Sequence, residues 1–505
     1  MANRYWVGGN ANWDATAGTK WATTSGGAGG AAVPTTSDDV FLDNGAGTGN
    51  VTISGNRVCR HLDCTGYVGT LTFTNILTAA GNITLDAGMT LAGSSSLVAS
   101  AAGTLTSNGK TVNTNISLTA QGATLTLADN WTVSGTVSVG NNAVDTRIDG
   151  NTLNISGSLT ASGATNSAGT TLFNINGTGT WSGSGIIRNN LTINTAGTLT
   201  LSGTLEHSVG TITYTAGTIS AGTSTLRIGR STGTLSCGGM TGSNAFANIT
   251  SIGNGTTTLA ANLECSGNFT GSSSGVILTG NYTFTVMGNF DMSSAAVNSI
   301  TSTTTKIVMG GTGFIKGPTT TGQIRIDLTI NTSGTITIFG TVNYSTQNFK
   351  YTAGTMATSG TANLKFITTA ATCTLNALFT YAGIITTAVN TTFNGTDGFT
   401  ITNFNCVTAG VVNTFKAGNT YTVTGGTTLT GTLASRVQMI SGTPASMVYF
   451  VLQPGAAQDV GFVTATDMDS SAGITIYDYK GLLSNTLNWN QLPTNPSVSS
   501  YTFVS

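Results

Sequence analysis

The chain has 505 residues and a formal net charge of −1, and only 7% of its residues are charged, so it offers no basic surface for the phosphates of a nucleic acid. It contains 68 glycines among many Thr, Ser and Asn residues, yet 39% of its residues are hydrophobic, which excludes a disordered chain. No run of 18 or more apolar residues occurs and the N-terminus has no apolar signal segment, so we expect neither membrane insertion nor export.

The first 46 residues differ in composition from the rest and hold Trp6, Trp13 and Trp21, three of the six tryptophans. A stacked β-fold exposes its core at each end and needs a cap there. We therefore predict that residues 1–46 form an N-terminal cap or docking segment in which these tryptophans cover the core. Stacking of sugars on the indole rings is the less favoured alternative.

Residues 47–435 consist of short runs in which polar and apolar residues alternate, as in Thr198–Leu201 and Thr335–Ile338. A period of two indicates half-buried strands, and the Ser-Gly, Ala-Gly and Asn-Gly pairs between the runs indicate tight turns. No apolar stripe of helical period is present. We interpret the sequences Asn-x-Ser/Thr as turn and ladder residues rather than glycosylation sites; they include those at Asn154, Asn190, Asn248 and Asn268.

The chain also repeats itself. Residues 191–219 align without a gap on residues 328–356, with 16 of 29 positions identical at an offset of 137. Weaker echoes extend the similarity into two units, at about 120–250 and 251–385. Repeats of this kind stack on one another because none buries its apolar face alone. The sequence therefore predicts an all-β fold, a right-handed parallel β-helix (β-solenoid), with a β-sandwich array as the alternative.

Acidic residues in the middle of the chain fall in two places. Asp145 and Asp149 flank Arg147 on one predicted strand. The three residues form either a catalytic site or a surface ion-pair ladder, and we favour the ladder. Glu206 and His207 lie in the repeated segment, but the second copy has Asn343 and Tyr344 at those positions. Because equivalent catalytic units would keep these groups, we interpret them as structural.

Residues 436–505 lose the Thr-Gly pattern and contain Pro444, Pro454, Pro493 and Pro496, so we predict a C-terminal cap or β module. Three acids in this region, Asp467, Asp469 and Asp478, are weak candidates for a calcium site because carboxylate oxygens are the ligands of Ca²⁺. Their spacing matches no calcium loop, and a turn is the preferred reading. We expect no metal and no cofactor.

Histidine and cysteine are the remaining residue types that could bind a metal or form disulfides. His61 with Asp63 is interpreted as a strand-end pair rather than a zinc site. The cysteines lie at irregular spacings inside strand-like runs, so we predict buried free thiols rather than disulfides; they are Cys59, Cys64, Cys237, Cys265, Cys373 and Cys406.

Both ends of the chain carry motifs that resemble phage and prophage proteins of β-helical type. At the front these are NRYWVGGNANWDATAGTKWATTSGGAGGAAVPTTSDDVFLD and the CRHLDCTGYVGTLTF segment from Cys59; at the back they are FKAGNTYTVTGGTTLTGT and DVGFVTATDMDSSAGITIYDYKGLLSNTLNWN. The resemblance covers about 60 residues at the front and 80 at the back. It implies a virion surface protein of the tail-fibre, tailspike or head-fibre kind, assembled in the host cytoplasm and exposed on the particle.

On this basis we expect a non-enzymatic fibre or spike that contacts other virion proteins, forms a homo-oligomer, most simply a trimer, and touches host surface polysaccharide. Scattered aromatics suit weak multivalent contact with glycans, and the candidates are Tyr214, Tyr344 and Tyr351. The alternatives are a polysaccharide depolymerase, a capsid decoration or tail component without receptor binding, and a bacterial surface adhesin.

Overall fold

The structure, a computed structural model, describes residues 1–16, 18–140, 146–162, 169–272, 276–294, 299–318, 322–345 and 347–492. Contacts between residues divide the chain into two compact units. The N-terminal unit comprises residues 1–250 and 255–263, and the C-terminal unit comprises residues 251–254 and 264–505. The predicted division at residues 46 and 435 stays a prediction.

The described residues form short strands almost throughout. The strands β1 to β29 are, in chain order, Asn3–Trp6, Ala11–Trp13, Trp21–Ala22, Asp39–Phe41, Val51–Ile53, Arg57–Cys59, His61–Asp63, Thr70–Phe73, Leu77–Ala79, Ile83–Thr84, Thr90–Gly93, Ser96–Ala99, Gly103–Thr106, Thr111–Val112, Asn115–Leu118, Thr124–Leu127, Trp131–Val133, Val137–Val139, Arg147–Gly150, Leu153–Ile155, Leu159–Ala161, Phe173–Ile175, Gly179–Ser182, Ile186–Ile187, Leu191–Leu201, Thr204–His207, Gly210–Ser220, Thr225–Ile228 and Gly233–Ser236.

The strands β30 to β54 follow in the same way. They are Asn248–Ser251, Thr256–Leu259, Leu263–Cys265, Phe269–Gly271, Val276–Thr279, Thr283–Val286, Phe290–Asp291, Ser299–Met309, Gly313–Lys316, Gln323–Tyr344, Asn348–Phe366, Ala371–Leu375, Phe379–Thr387, Thr391–Gly395, Phe399–Cys406, Val412–Phe415, Thr420–Thr430, Val437–Ser441, Val448–Leu452, Ala457–Gly461, Val463–Thr466, Met468–Asp469, Ile476–Tyr479, Leu482–Ser484 and Trp489–Leu492.

Strands pair in parallel with strands about one coil further along the chain, and this confirms the predicted β-solenoid. In the N-terminal unit, Val40, Leu62, Ile83 and Leu105 face one another in register on β4, β7, β10 and β13. Hydrogen bonds between neighbouring coils join residues 20 to 22 positions apart there. The two units contain about 20 such coils. The right hand of the coil stays a prediction.

Burial alternates along the strands as the period of two predicts. In β8, Leu71 and Phe73 are buried and the two threonines between and before them are half-buried. Apolar side chains of successive coils therefore stack inside, and Thr, Ser and Asn side chains cover the outside. Within the described ranges the helical element is a three-residue 3-10 turn, Gly242–Asn244, and no helix there has the length and apolarity to cross a membrane.

The N-terminal unit begins with a buried tryptophan cluster. Trp6, Trp13 and Trp21 are fully buried, and Trp21 packs edge-on against the other two rings at 5.1 and 4.9 Å between centroids. β3, which carries Trp21, pairs antiparallel with β1 at the edge of the sheet that includes β4, β7 and β10. Burial prevents a sugar from stacking on these indoles. Their role as a cap or docking element stays a prediction.

The core of the C-terminal unit is richer in aromatic rings. Phe393 and Phe415 stack in register on β43 and β45, with centroids 5.0 Å apart and planes 8° from parallel. Phe399 and Tyr421 are also in register, on β44 and β46, but their rings meet edge to face. Cys373 lies in register between Phe349 and Phe393, in the position of a small hydrophobic residue.

All six cysteines are buried free thiols, which confirms the prediction from their spacing. Burial raises the pKa of Cys59 to about 12, with a smaller contribution from the nearby Asp39 carboxylate. Burial likewise raises the pKa of Cys237 to about 12. Thiols held in this state behave as apolar side chains.

The repeated segment has the same irregular geometry in both copies. Asn194 pairs with Ala216 between two register shifts of β25 and β27, and Asn331 pairs with Ala353 between two register shifts of β39 and β40. The 137-residue repeat is therefore a structural repeat. The same register irregularity, which we call the repeated bend, occurs once in each copy.

Asparagine side chains tie neighbouring coils together at the strand ends. In each case the Oδ1 atom accepts a backbone N–H from the next coil at 2.8 to 3.1 Å; the pairs are Asn50 with Thr70, Asn82 with Thr104, Asn130 with Thr152, Asn190 with Thr211, Asn268 with Asn289 and Asn289 with Phe314. Asn174 donates to the Oδ1 of Asn154 at 2.8 Å. The Nδ2 of Asn248 donates to the carbonyl of Ser224 at 3.3 Å. These bonds confirm the predicted ladder role of Asn154, Asn190, Asn248 and Asn268.

Candidate functional site

A shallow depression lies on the outer surface of three neighbouring strands, β4, β7 and β10, in the N-terminal unit. We call this surface the β4–β7–β10 face and define it by its outward residues, which are Asp39, Phe41, His61, Asp63, Asn82 and Thr84. The depression measures about 180 Å³. It brings carboxylates, an imidazole, an amide, a hydroxyl and an aromatic ring together on one surface.

The parallel register places these side chains in two rows. Asp39 lies opposite His61, and Phe41 lies opposite Asp63, which in turn lies opposite Thr84. The residues between them in each strand point inward and are buried, because successive side chains of a strand alternate between its two faces. Strands of a sheet lie about 4.8 Å apart, so neighbouring groups in a row are within reach of a single ligand.

Phe41 forms a wall of the depression and is supported from behind. The ring of Tyr5, which is in register with Phe41 on the preceding strand, stacks on it at 4.6 Å with an interplanar angle of 13°. Phe41 lines the depression, whereas Tyr5 does not. On the other side Phe41 faces Asp63, a short side chain, and the half-buried Phe41 ring lines the depression beside it.

The imidazole of His61 has a defined tautomer. Its Nδ1 accepts the backbone N–H of Asn82 at 2.7 Å, so in the neutral ring the proton resides on Nε2. Gly81 makes this contact possible, because a Cβ atom at that position would overlap Nδ1 of His61. His61 therefore offers an N–H donor on the β4–β7–β10 face.

The two carboxylates of the face have different partners. Asp39 forms a bidentate ion pair with Arg60, whose Nε donates at 2.7 Å and whose Nη2 donates to the second oxygen. Asp63 uses Oδ1 to accept from the amide and hydroxyl of Thr65, at 2.9 and 2.6 Å. The charge of Asp39 is thus compensated locally, while that of Asp63 has no basic partner among the described residues.

Sequence reasoning found only part of this site. It singled out His61 and Asp63 as a pair, and it did not connect them with Tyr5, Phe41 and Asn82. The available signal was a triplet that begins with a polar residue and has an apolar residue at its centre, DVF at 39–41, HLD at 61–63 and NIT at 82–84, which recurs at about one coil length. Aligning the triplets requires the coil register, which the irregular repeat does not reveal by itself.

The aromatic candidates for glycan contact are placed differently from our expectation. Tyr344 is fully buried, and its hydroxyl donates to the carbonyl of Ile326 at 2.6 Å. Tyr351 is 4% exposed, and its hydroxyl donates to Gly354 at 2.5 Å. The expectation is wrong for these two rings, because period-two alternation turns both into the core. Tyr214 is half-buried, with its hydroxyl bonded to Gly217 at 2.5 Å.

Glu206 and His207 are buried side by side but engage separate partners. Glu206 accepts from Arg230 through both carboxylate oxygens, one of them at 3.3 Å, and lies 3.5 Å from Arg227. His207 bonds the carbonyl of Asn189 at 3.0 Å, and burial lowers its pKa to about 4. A cavity of about 10 Å³ adjoins His207 and holds at most one water molecule.

The remaining acidic candidates do not converge. Arg147 pairs with Asp149 at 2.6 Å on β19, and Asp145 lies outside the described residues. Asp467 accepts from Ala445 and Asn485, Asp469 accepts from Ser471, and Asp478 accepts from Val463. Among the described residues no three or more His, Cys, Asp or Glu side chains are grouped as metal ligands.

We compared the chain with family models, curated proteins and solved structures, and none of them matches it.

Proposed function

We propose that this chain is a structural protein of a phage particle, a β-solenoid fibre or spike that contacts glycans of the host surface. The observation that carries the proposal is the outer surface of the coils, where neutral hydroxyl and amide side chains recur along parallel strands. Repeated weak contacts with a polymer add up to useful avidity when the groups are spaced regularly. The motifs at the two ends of the chain, which resemble virion surface proteins, support the same assignment.

In this proposal the chain assembles as a homo-oligomer, a trimer, together with other virion proteins, and it uses no cofactor. Immunogold electron microscopy of purified particles, with an antibody raised against this chain, tests the assignment. Label at the tail or on head fibres is expected. Dense label over the head, in hundreds of copies, would identify a capsid decoration, and label on bacterial cells alone would identify an adhesin.

A polysaccharide depolymerase is the second candidate, and one observation favours it. Asp39 and Asp63 lie on adjacent strands of the same face, with His61 opposite the first and two residues before the second. Glycoside hydrolysis uses a pair of carboxyl groups on the two sides of the scissile bond. Both carboxylate oxygens of Asp39 are already bonded by Arg60, so binding is our preferred function.

Incubation with host capsular polysaccharide and measurement of new reducing ends separates the two candidates. We expect no release by the wild-type chain. Release that Asp63→Asn abolishes and Asp149→Asn preserves would establish the depolymerase in place of the binding protein. Asp149 is a suitable control because it pairs with Arg147 away from the depression.

A further inference from the structure

We propose that the β4–β7–β10 face binds a single uncharged hexopyranose ring, presented at the end or branch of a polysaccharide. This inference rests on the proposed function and specifies where, and to which class of sugar, the chain binds. The depression of about 180 Å³ is smaller than the roughly 300–1,000 Å³ of pockets for larger ligands, and it therefore suits one ring.

The part of the Phe41 ring that lines the depression provides the apolar contact. One face of a pyranose ring presents a patch of C–H groups, and such groups pack against an aromatic ring. Tyr5 holds Phe41 in place by stacking on it at 4.6 Å. The wall is thus rigid before the ligand arrives, which lowers the entropic cost of binding.

The floor of the depression supplies donors and acceptors that match sugar hydroxyl groups. His61 has its N–H on Nε2, because Nδ1 is occupied by Asn82. Asn82 uses its Oδ1 for the amide of Thr104 at 2.9 Å, which leaves its NH₂ group as a donor. Asp63 uses Oδ1 for Thr65, so Oδ2 remains an acceptor. Hydroxyl groups both donate and accept, so they suit this mixed set.

Charge selects against acidic sugars. Arg60 compensates Asp39, but the carboxylate of Asp63 is not compensated, so the face carries a net negative charge. A uronate or sialate would bring a second negative charge against Asp63 in a partly desolvated site, where like charges repel. The face therefore favours neutral hexoses.

A glycan array tests the inference directly. The probes are chains that end in glucose, galactose or mannose, and counterparts that end in a uronate or a sialate. We expect the wild-type chain to bind one or more neutral termini and to reject the acidic ones. Phe41→Ala should weaken neutral binding at least tenfold, and Asp63→Asn should relax the rejection of acidic termini.

Phe339→Ala is the matched control. Phe339 is also a partly exposed ring that packs on a neighbouring ring, Phe314, at 5.1 Å, but it lies in the C-terminal unit. Its removal should leave glycan binding unchanged. Phe41→Leu is a second variant in case Phe41→Ala misfolds. It removes the aromatic ring but keeps an apolar side chain on the strand, so a loss of binding in this variant is due to the loss of the ring.

Three results would overturn the inference: no binding to any neutral terminus, preference for acidic termini, or neutral binding that survives both Phe41 substitutions. Immunogold labelling keeps this failure distinct from failure of the proposed function. Labelled particles without neutral-glycan binding would reject only the site, whereas glycan binding without labelled particles would reject only the virion assignment.

Discussion

His207 and Tyr344 show how one buried position accepts two different side chains. They occupy equivalent positions of the 137-residue repeat, and each bonds a backbone carbonyl 18 residues earlier, that of Asn189 or Ile326. A carbonyl oxygen requires a donor, and both a tyrosine hydroxyl and a neutral imidazole N–H satisfy it. The shared role explains why a histidine next to a glutamate is structural here.

His207 should make the N-terminal unit sensitive to acid. Burial lowers its pKa from 6.5 to about 4, so the unfolded chain binds a proton that the folded chain rejects between these values. The free energy of unfolding is unaffected by His207 above pH 6.5, and it falls by up to about 3 kcal/mol as the pH drops toward 4. His207→Gln keeps a hydrogen-bond donor but does not titrate, so the loss of stability that His207 causes at acidic pH should disappear in this variant.

Urea denaturation at several pH values, followed by tryptophan fluorescence, measures this effect. Five of the six tryptophans lie in the N-terminal unit and report on it. An identical loss of stability in wild type and His207→Gln between pH 6.5 and 4 would contradict the assignment.

Asp478 should have the opposite dependence on pH. Burial raises its pKa to about 7, against the bond from Val463 and the charge of Arg436, and its Oδ2 is buried without a partner. The folded chain therefore binds a proton that the unfolded chain has released, and stability falls as the pH rises from 3.8 to 7. Asp478→Asn should raise the melting temperature by a few degrees at pH 8 and change it little at pH 4. Calorimetry at the two values checks this, and equal shifts at both would refute it.

At the scale of the element, the repeated bend depends on a small set of side chains. In the first copy Thr195 Oγ1 accepts the N–H of Gly197, and in the second Thr332 Oγ1 accepts the N–H of Gly334, at 3.0 and 2.9 Å. Each copy also has a Tyr-Thr-Ala-Gly sequence in which the tyrosine hydroxyl bonds the glycine carbonyl. The bend is thus fixed by local bonds that the sequence encodes directly.

Gly217→Ala and Gly354→Ala should each destabilise the chain by about 1–3 kcal/mol. Their φ angles are 122° and 130°, and a Cβ atom would overlap Thr195 in the first copy and lie 2.9 Å from Thr332 Cγ2 in the second. Gly360→Ala is the control, since its φ is 63° and nothing lies within 4 Å of the added atom. Chemical denaturation of the three variants should show the smallest loss for the control. Equal losses would mean that the bend tolerates a side chain.

For the whole molecule, stability comes from stacked apolar side chains and from ladders of neutral hydrogen bonds. Ion pairs contribute little, because most of their basic partners are partly exposed, as at Lys20–Asp14 and Arg147–Asp149. Exposed ion pairs are worth about 0–1 kcal/mol each. With 7% charged residues the chain also has little self-repulsion to relieve.

The thermal stability of the full chain should therefore depend only weakly on salt. We expect the melting temperature to change by no more than about 2 °C between about 0.05 M and about 0.5 M NaCl. Differential scanning fluorimetry measures it. A shift of many degrees would show that charge networks, rather than stacking and asparagine ladders, hold the coils together.

The sequence by itself determined the β-solenoid class, the alternation of buried and outward residues, the asparagine ladders and the burial of the cysteines. These features follow from local pattern: a period of two defines a half-buried strand, and a repeat that cannot bury its apolar face alone must stack. The equivalence of residues 191–219 and 328–356 was visible in the same way.

Only the tertiary structure decided which outward residues meet. Tyr5, Phe41, the pair His61 and Asp63, and Asn82 lie about one coil or more apart in the chain, and their proximity depends on a coil length that varies along it. Because a shift of one residue moves a side chain to the other face of a strand, small errors in register exchange surface for core. Which face of its strand a side chain occupies was therefore settled by the coils themselves: Tyr344 and Tyr351 proved to be buried, and the β4–β7–β10 face appeared only once the coils were aligned.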